Sequence, residues 1–153
     1  MLTTLVLRYR GPVTTAMLAS PDAERRARRL LRLDSTAGLL AGLLMLVSHE
    51  WLAALTGMPV PVVLFVAVAN LVYGSYSGWL VTTAQRRGLP SRRVVTVLIV
   101  ANVAWAVVCA ALLARFGASA TVFGWLHLVL EGVFVAALGL VEWRVVRPLT
   151  HVS

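Results

Sequence analysis

Four long apolar stretches dominate the pattern of hydrophobic and polar positions. They cover about residues 37–55, 60–83, 94–114 and 119–141, and each is close to the ~20 residues that a helix needs to cross a bilayer. Backbone polar groups find no water in hydrocarbon, so such stretches must satisfy their hydrogen bonds internally, as helices. The pattern predicts an all-α, polytopic membrane protein whose four transmembrane helices form an up-down bundle.

Small residues recur four apart in every span, which allows helix backbones to approach closely. The repeats are Gly38 and Gly42 in the first span, Gly74 and Gly78 in the second, Ala106, Ala110 and Ala114 in the third, and Gly132 and Ala136 in the fourth. We expect a compact bundle. The same seams also suit oligomerisation, so they do not specify a function.

The residues before the first span divide into two parts. Residues 1–19 contain a Gly11-Pro12 break and no apolar run of spanning length, which predicts a flexible segment. From Ser20 the pattern is that of a helix start, with Ser20 as N-cap and Pro21 at the first helical position. We therefore predict an Arg-rich amphipathic helix over residues 20–33, a four-helix transmembrane domain over 34–147 and a C-terminal tail over 148–153.

The predicted amphipathic helix is strongly basic. Its apolar residues recur at helical spacing, and the remaining positions carry Arg25, Arg26, Arg28, Arg29 and Arg32. This pattern is typical of an interfacial helix that lies on anionic lipid. It also suits a simple topological anchor, and docking of a partner or of nucleic acid is the remaining interpretation.

The charge distribution predicts orientation rather than nucleic-acid binding. The net charge is +8, yet all 14 basic residues are Arg and they cluster at the ends of the apolar spans. Thirteen of them fall on one side of the predicted bundle and only Arg115 on the other, which places both termini in the cytoplasm. The single cysteine, Cys109, excludes an internal disulfide and a multi-cysteine metal site.

Polar residues inside the spans are the candidates for chemistry, because a membrane helix normally avoids them. Helical phase puts them on one stripe of each span. The stripes are Asp34 to His49 in the first span, Asn70, Tyr73 and Ser77 in the second, Asn102, Trp105 and Cys109 in the third, and His127, Glu131 and Glu142 in the fourth. We expect these stripes to face one another.

Glu131 is the predicted centre of this polar region. With ~1.5 Å of rise per residue it lies about 16 to 18 Å from the cytoplasmic edge, near the bilayer midplane. The predicted ligand or proton site comprises Glu131, His127, Asn70, Asn102, Tyr73, Trp105 and His49. The alternative is purely structural: a protonated Glu131 that donates a hydrogen bond to Asn70 or Asn102.

Two further carboxylates are expected to have ordinary roles. Asp34 and Glu142 stand near Arg32 and Arg144, so we expect ion pairs or helix caps close to the cytoplasmic interface. No cofactor and no metal is predicted, because di-iron bundles repeat Glu-x-x-His whereas this chain has one His-x-x-x-Glu. Haem between His49 and His127 is the weak alternative.

Two resemblances add expectations. Arg32-Leu33-Asp34, the Ala-Asn pairs at residues 69–70 and 101–102, and a Glu late in the fourth span resemble uncharacterised four-helix integral membrane proteins of GC-rich bacteria. That resemblance implies a multi-pass protein of a bacterial cytoplasmic (inner) membrane. The polar and aromatic set His127, Glu131, Asn102 and Trp105 is similar to the sterol-cavity lining of emopamil-binding-type isomerases, although the order of the motifs along the chain is reversed.

Three functions remain open at this point. The first is a non-enzymatic bundle whose polar cavity, centred on Glu131, binds or passes a small ligand, lipid or proton. The second is a lipid isomerase in which Glu131 and His127 move protons while Trp105 and Tyr73 stabilise a cation. The third is an accessory subunit of a larger membrane complex. The expected partners are membrane lipids and another membrane subunit or a second copy of the chain, and no nucleic acid.

Overall fold

The computed structural model describes residues 20–150, and within them it is helical apart from short connections. The helices are α1 (Pro21–Val47), α2 (His49–Thr56), α3 (Val60–Arg87), α4 (Arg92–Phe116) and α5 (Val122–Val145), followed by a 3₁₀ turn at Arg147–Leu149. Helices α1, α3, α4 and α5 are long and apolar enough to span a membrane. The predicted fold class is confirmed. The expected flexible segment 1–19 lies outside the described residues, as does the end of the tail.

Local signals set the helix ends. Ser20 caps α1, because its hydroxyl accepts a hydrogen bond from the Ala23 amide, and Pro21 follows at the first position. Thr121 caps α5 in the same way through the Gly124 amide. Gly57 ends α2 in the left-handed conformation, with φ of 68°, a position where glycine has no steric penalty.

The first span differs from its prediction in two ways. Helix α1 continues without a break through residues 33 and 34, so the Arg-rich segment and the first apolar span form one helix rather than two. Ala27 and Leu31 in that segment are fully buried against the bundle. The apolar stripe of residues 20–33 is in phase with the stripe of the span, which is why the two form one helix.

The predicted first span also ends early. Helix α1 stops at Val47, and residues 49–56 form the separate helix α2. At the junction the Ser48 hydroxyl donates to the Leu44 carbonyl, and such back-bonding by serine bends helices. At its far end α2 is tied to the start of α5, because Thr121 donates to the carbonyls of Leu55 and Thr56.

The four long helices form two pairs. Helix α1 packs along α3 and α4 along α5, whereas contacts between the two pairs are sparse. In the first pair a Cβ added at Gly38 would lie 3.1 Å from the Gly74 Cα. The predicted glycine seams therefore pack α1 against α3 at backbone contact, as small residues allow in membrane helices.

Two apolar clusters join the pairs at opposite ends of the bundle. The cluster at the Arg-rich end includes Ala27, Leu31, Leu80, Val95, Leu98 and Val146. The cluster at the other end includes Met45, Ala53, Val63, Val66 and Leu128. Because the contacts concentrate at the ends, space remains between the pairs near mid-depth.

Gly74→Ala tests the α1–α3 contact. The new Cβ would lie 2.6 Å from the Leu39 amide nitrogen, and backbone atoms cannot move aside without separating the helices. We expect a loss of about 1–3 kcal/mol, as for other overpacking substitutions, seen as a lower melting temperature in detergent. Gly132→Ala is the control, since its Cβ would meet the Cys109 Cβ at 3.3 Å. Equal melting temperatures for the two variants would contradict the tight α1–α3 seam.

Candidate functional site

A cavity of about 750 Å³ lies between the two helix pairs. Each of the four long helices contributes to its wall. The wall is mostly apolar, and its polar members are Asp34, Asn70, Tyr73, Tyr76, Asn102, Trp105, His127 and Glu131. This combination of apolar surface and a few convergent polar groups is typical of small-molecule sites.

Glu131 occupies the outer part of the cavity, on the side away from the Arg-rich end. Its Oε1 accepts hydrogen bonds from the Asn70 side-chain amide at 2.9 Å and from the Trp105 indole at 2.7 Å. Asn70 also donates to the Val66 carbonyl. Helices α3 and α4 therefore fix the orientation of a carboxyl group that α5 supplies.

His127 approaches the other oxygen of the same carboxylate. Its Nε2 lies 3.2 Å from Glu131 Oε2, but the directions are poor, and both atoms are buried without a hydrogen-bond partner among the described residues. We regard this contact as electrostatic rather than as an aligned hydrogen bond. Oε2 thus has no aligned hydrogen-bond donor among the described residues.

A second polar cluster, the inner cluster, lies nearer the Arg-rich end. Asp34 Oδ2 accepts from the Tyr73 hydroxyl at 2.7 Å and from the Ser77 hydroxyl at 2.6 Å. The Asn102 side-chain amide donates to Glu142 Oε2 at 3.0 Å and lies beside the Tyr73 hydroxyl. The inner cluster therefore links all four spanning helices.

The expected ion pairs of Asp34 and Glu142 are wrong. Asp34 is 2% exposed and Glu142 is 0% exposed, and in residues 20–150 neither lies within 4 Å of a basic group. Residues two apart on a helix point to opposite sides, so Arg32 and Arg144 cannot reach these carboxylates. Asp34 is also deeper than expected, because α1 begins 13 positions before it.

The structure brings most of the predicted site residues to one cavity. Glu131, His127, Asn70 and Trp105 meet directly, while Asn102 and Tyr73 line the inner part of the same cavity. His49 does not join them, because its Nδ1 contacts the Leu46 carbonyl near the outer end. Among the predicted surface residues, Arg28 donates to the Ala84 carbonyl and Arg25 pairs with Asp22.

Sequence reasoning missed the roles of Asp34, Ser77 and Glu142. Each stands on the polar stripe of its span, and that stripe was the signal that could have identified them. For Asp34 and Glu142, the neighbouring Arg32 and Arg144 suggested ion pairs or helix caps instead. Phase is the better guide in a membrane bundle, because it decides which side chains meet.

Metal chemistry has no support in this site. Over residues 20–150, no group of three or more His, Cys, Asp and Glu side chains is placed to hold a metal ion.

Searches with this chain match no family model, no curated protein and no solved structure. The geometry of the cavity is therefore the basis for a proposed function.

Asn102→Leu tests the inner cluster. The change leaves both oxygens of the Glu142 carboxyl without a partner, since Oε1 already has none in the described structure. An unsatisfied buried polar group costs about 1–3 kcal/mol, so the variant should melt at a clearly lower temperature in detergent. Ala104→Leu on the exposed face of α4 is the control and should melt like the parent. An Asn102→Leu variant as stable as the parent would contradict the role of this network.

Proposed function

We propose that this chain is a membrane protein that binds a hydrophobic small molecule or a lipid chain in the cavity between its helix pairs. The observation that carries the proposal is the cavity itself, a space of about 750 Å³ at mid-depth with an apolar wall and a fixed carboxylate. Volumes of this size hold drug-sized ligands.

Access from the bilayer supports the proposal. Several apolar residues of the wall are half or more exposed, among them Phe65, Val68 and Val72 on α3 and Leu130 on α5, so the cavity is open to the surroundings of the bundle. In a membrane these side chains would face lipid tails. A hydrophobic ligand would therefore reach the cavity sideways, without crossing water.

The polar groups of the wall would orient the ligand. Glu131 Oε2 retains unused hydrogen-bonding capacity, and Asp34 and Tyr73 stand at the inner part of the same cavity. A ligand with an apolar body and one polar group fits this distribution, because burying a polar group without a partner is costly.

A lipid isomerase is the second candidate. The contact between His127 Nε2 and Glu131 Oε2 favours it, because two titratable groups at 3.2 Å beside an apolar cavity suit proton transfer to and from a bound lipid. Trp105 shares this part of the wall and would stabilise positive charge. Glu131→Gln separates the candidates, because Gln cannot transfer the proton but leaves the cavity open for binding.

The location that we propose is a bacterial cytoplasmic membrane with both termini inside the cell. Eleven of the twelve Arg residues within the described range lie at the end of the bundle that holds the start of α1, the α3–α4 connection and the end of α5. Arg115 alone lies at the other end. An excess of Arg marks the cytoplasmic side, and the resemblance to proteins of GC-rich bacteria supports the compartment.

Fluorescence quenching of Trp105 tests the proposed function. In a variant with the other four tryptophans changed to Phe, phospholipids with brominated acyl chains should quench Trp105 if a chain enters the cavity. Ala101→Phe should reduce the quenching, because Ala101 lines the cavity and a phenyl ring there would occupy part of it. Quenching that Ala101→Phe leaves unchanged would contradict lipid entry.

Two controls accompany that experiment. Ala104→Phe places the same ring on the exposed face of the same helix and should leave the quenching of Trp105 intact. A variant that keeps only Trp79, which is 55% exposed, reports quenching by lipid outside the bundle, and neither phenylalanine should alter it.

Cysteine labelling tests the orientation. In a Cys109→Ala background, Ser119→Cys between α4 and α5 should react with a membrane-impermeant maleimide on intact cells. Ser91→Cys, between α3 and α4, should react only after the membrane is permeabilised. The reverse pattern would place the Arg-rich end outside.

A further inference from the structure

The cavity wall holds more acidic than basic side chains. Its wall includes two carboxylates, Asp34 and Glu131, and within the described chain it includes no Arg. His127 is the one basic side chain there, and it faces Glu131 from the same helix. A third carboxyl group, that of Glu142, is fully buried beside Asn102, and one of its oxygens has no partner among residues 20–150.

The hydrogen bonds of Glu131 engage only one of its two carboxylate oxygens. The Oε1 atom is occupied by Asn70 and Trp105, which hold the carboxylate in one orientation. The Oε2 atom meets no aligned donor among the described residues. Oε2 is buried beside His127 Nε2, and a cation in the cavity would act on the carboxylate without breaking any of the hydrogen bonds that position it.

Aromatic rings surround the same volume. Phe65 and Trp105 lie with ring centroids 5.8 Å apart, and Tyr73, Tyr76 and Phe134 also line the cavity. The faces of such rings carry negative potential and attract cations, more strongly where water is excluded. The aromatic rings and the carboxylates of the cavity therefore both favour a positively charged ligand.

From this charge complementarity we propose that the ligand is a lipophilic organic cation: an amine or a quaternary onium group on an apolar body. The proposal rests on the proposed function and specifies its ligand class. The apolar body would fill the cavity against α3 and α5, and the cationic group would lie beside Glu131 and Trp105. An ionised carboxylate at this depth is costly unless a positive charge is near. A bound cation would therefore be attracted electrostatically to the carboxylate, whereas a neutral lipid would not.

Two ions of nearly the same shape and opposite charge test this inference. Tetraphenylphosphonium and tetraphenylborate would be titrated separately into the purified full chain in a non-ionic detergent, with binding followed by equilibrium dialysis. Ala101→Phe would give the background for partition into micelles. We expect saturable binding of tetraphenylphosphonium, at least about tenfold tighter than that of tetraphenylborate.

Substitution of the carboxylate provides the second arm. Glu131→Gln keeps the size of the side chain and an oxygen for Asn70 and Trp105, but it removes the charge. It should weaken tetraphenylphosphonium binding at least about tenfold and leave tetraphenylborate unchanged. If its melting curve shows loss of fold, Asp34→Asn takes its place, and Glu50→Gln, outside the cavity wall, is the matched control.

The outcomes separate this inference from the proposed function. Equal binding of the two ions, or tetraphenylphosphonium binding that the carboxylate substitution leaves unchanged, would overturn the cation preference. Quenching of Trp105 by brominated lipid would still support a lipid-binding cavity in that case. Failure of the quenching experiment would instead remove the proposed function on which the inference rests.

Discussion

The Asn102 side chain on α4 donates to Glu142 on α5 and lies beside Tyr73 of α3, which donates to Asp34 of α1. This chain of contacts is the only polar link across all four spanning helices that we find in the described residues. Water is absent from the hydrocarbon core of a membrane, and these four side chains find hydrogen-bond partners on other helices. These hydrogen bonds fix the rotation of each helix about its own axis, because turning one helix would leave both the donor and the acceptor unpaired.

Tight packing within each pair and loose packing between pairs follow from different parts of the sequence. Glycines at 38 and 74 allow α1 and α3 to meet at backbone distance, whereas bulky residues such as Phe65 and Trp105 face the space between the pairs. Large aromatic side chains hold the pairs apart where glycines would draw them together. The cavity is therefore a consequence of where small and large residues stand along the helices.

Much of the fold can be predicted from the sequence, since the four spans, the helix start at Ser20 and the glycine seams depend on local patterns. Two features of the first span could not be predicted by length and charge. The Arg cluster before residue 33 suggested a boundary, but helix phase continues across it and buries Ala27 and Leu31. At the other end α1 stops at Val47 and α2 begins at His49, and apolar content does not reveal where a helix is interrupted.

Most residues of the candidate site could be predicted from the sequence. Their separation into the group around Glu131 and the inner cluster could not. The predicted site grouped Asn102 and Tyr73 with Glu131, and the hydrogen bonds show that they belong to the inner cluster. This difference separates structure from function in the polar residues. Asp34 and Glu142 are almost fully buried and tied to other helices, as expected of groups that hold a bundle together. Glu131 is fixed through one oxygen while the other remains free of aligned partners. A binding site benefits from a polar side chain that is held rigidly but does not use all of its hydrogen-bonding capacity. A ligand can then interact with that side chain without reorganisation of the protein.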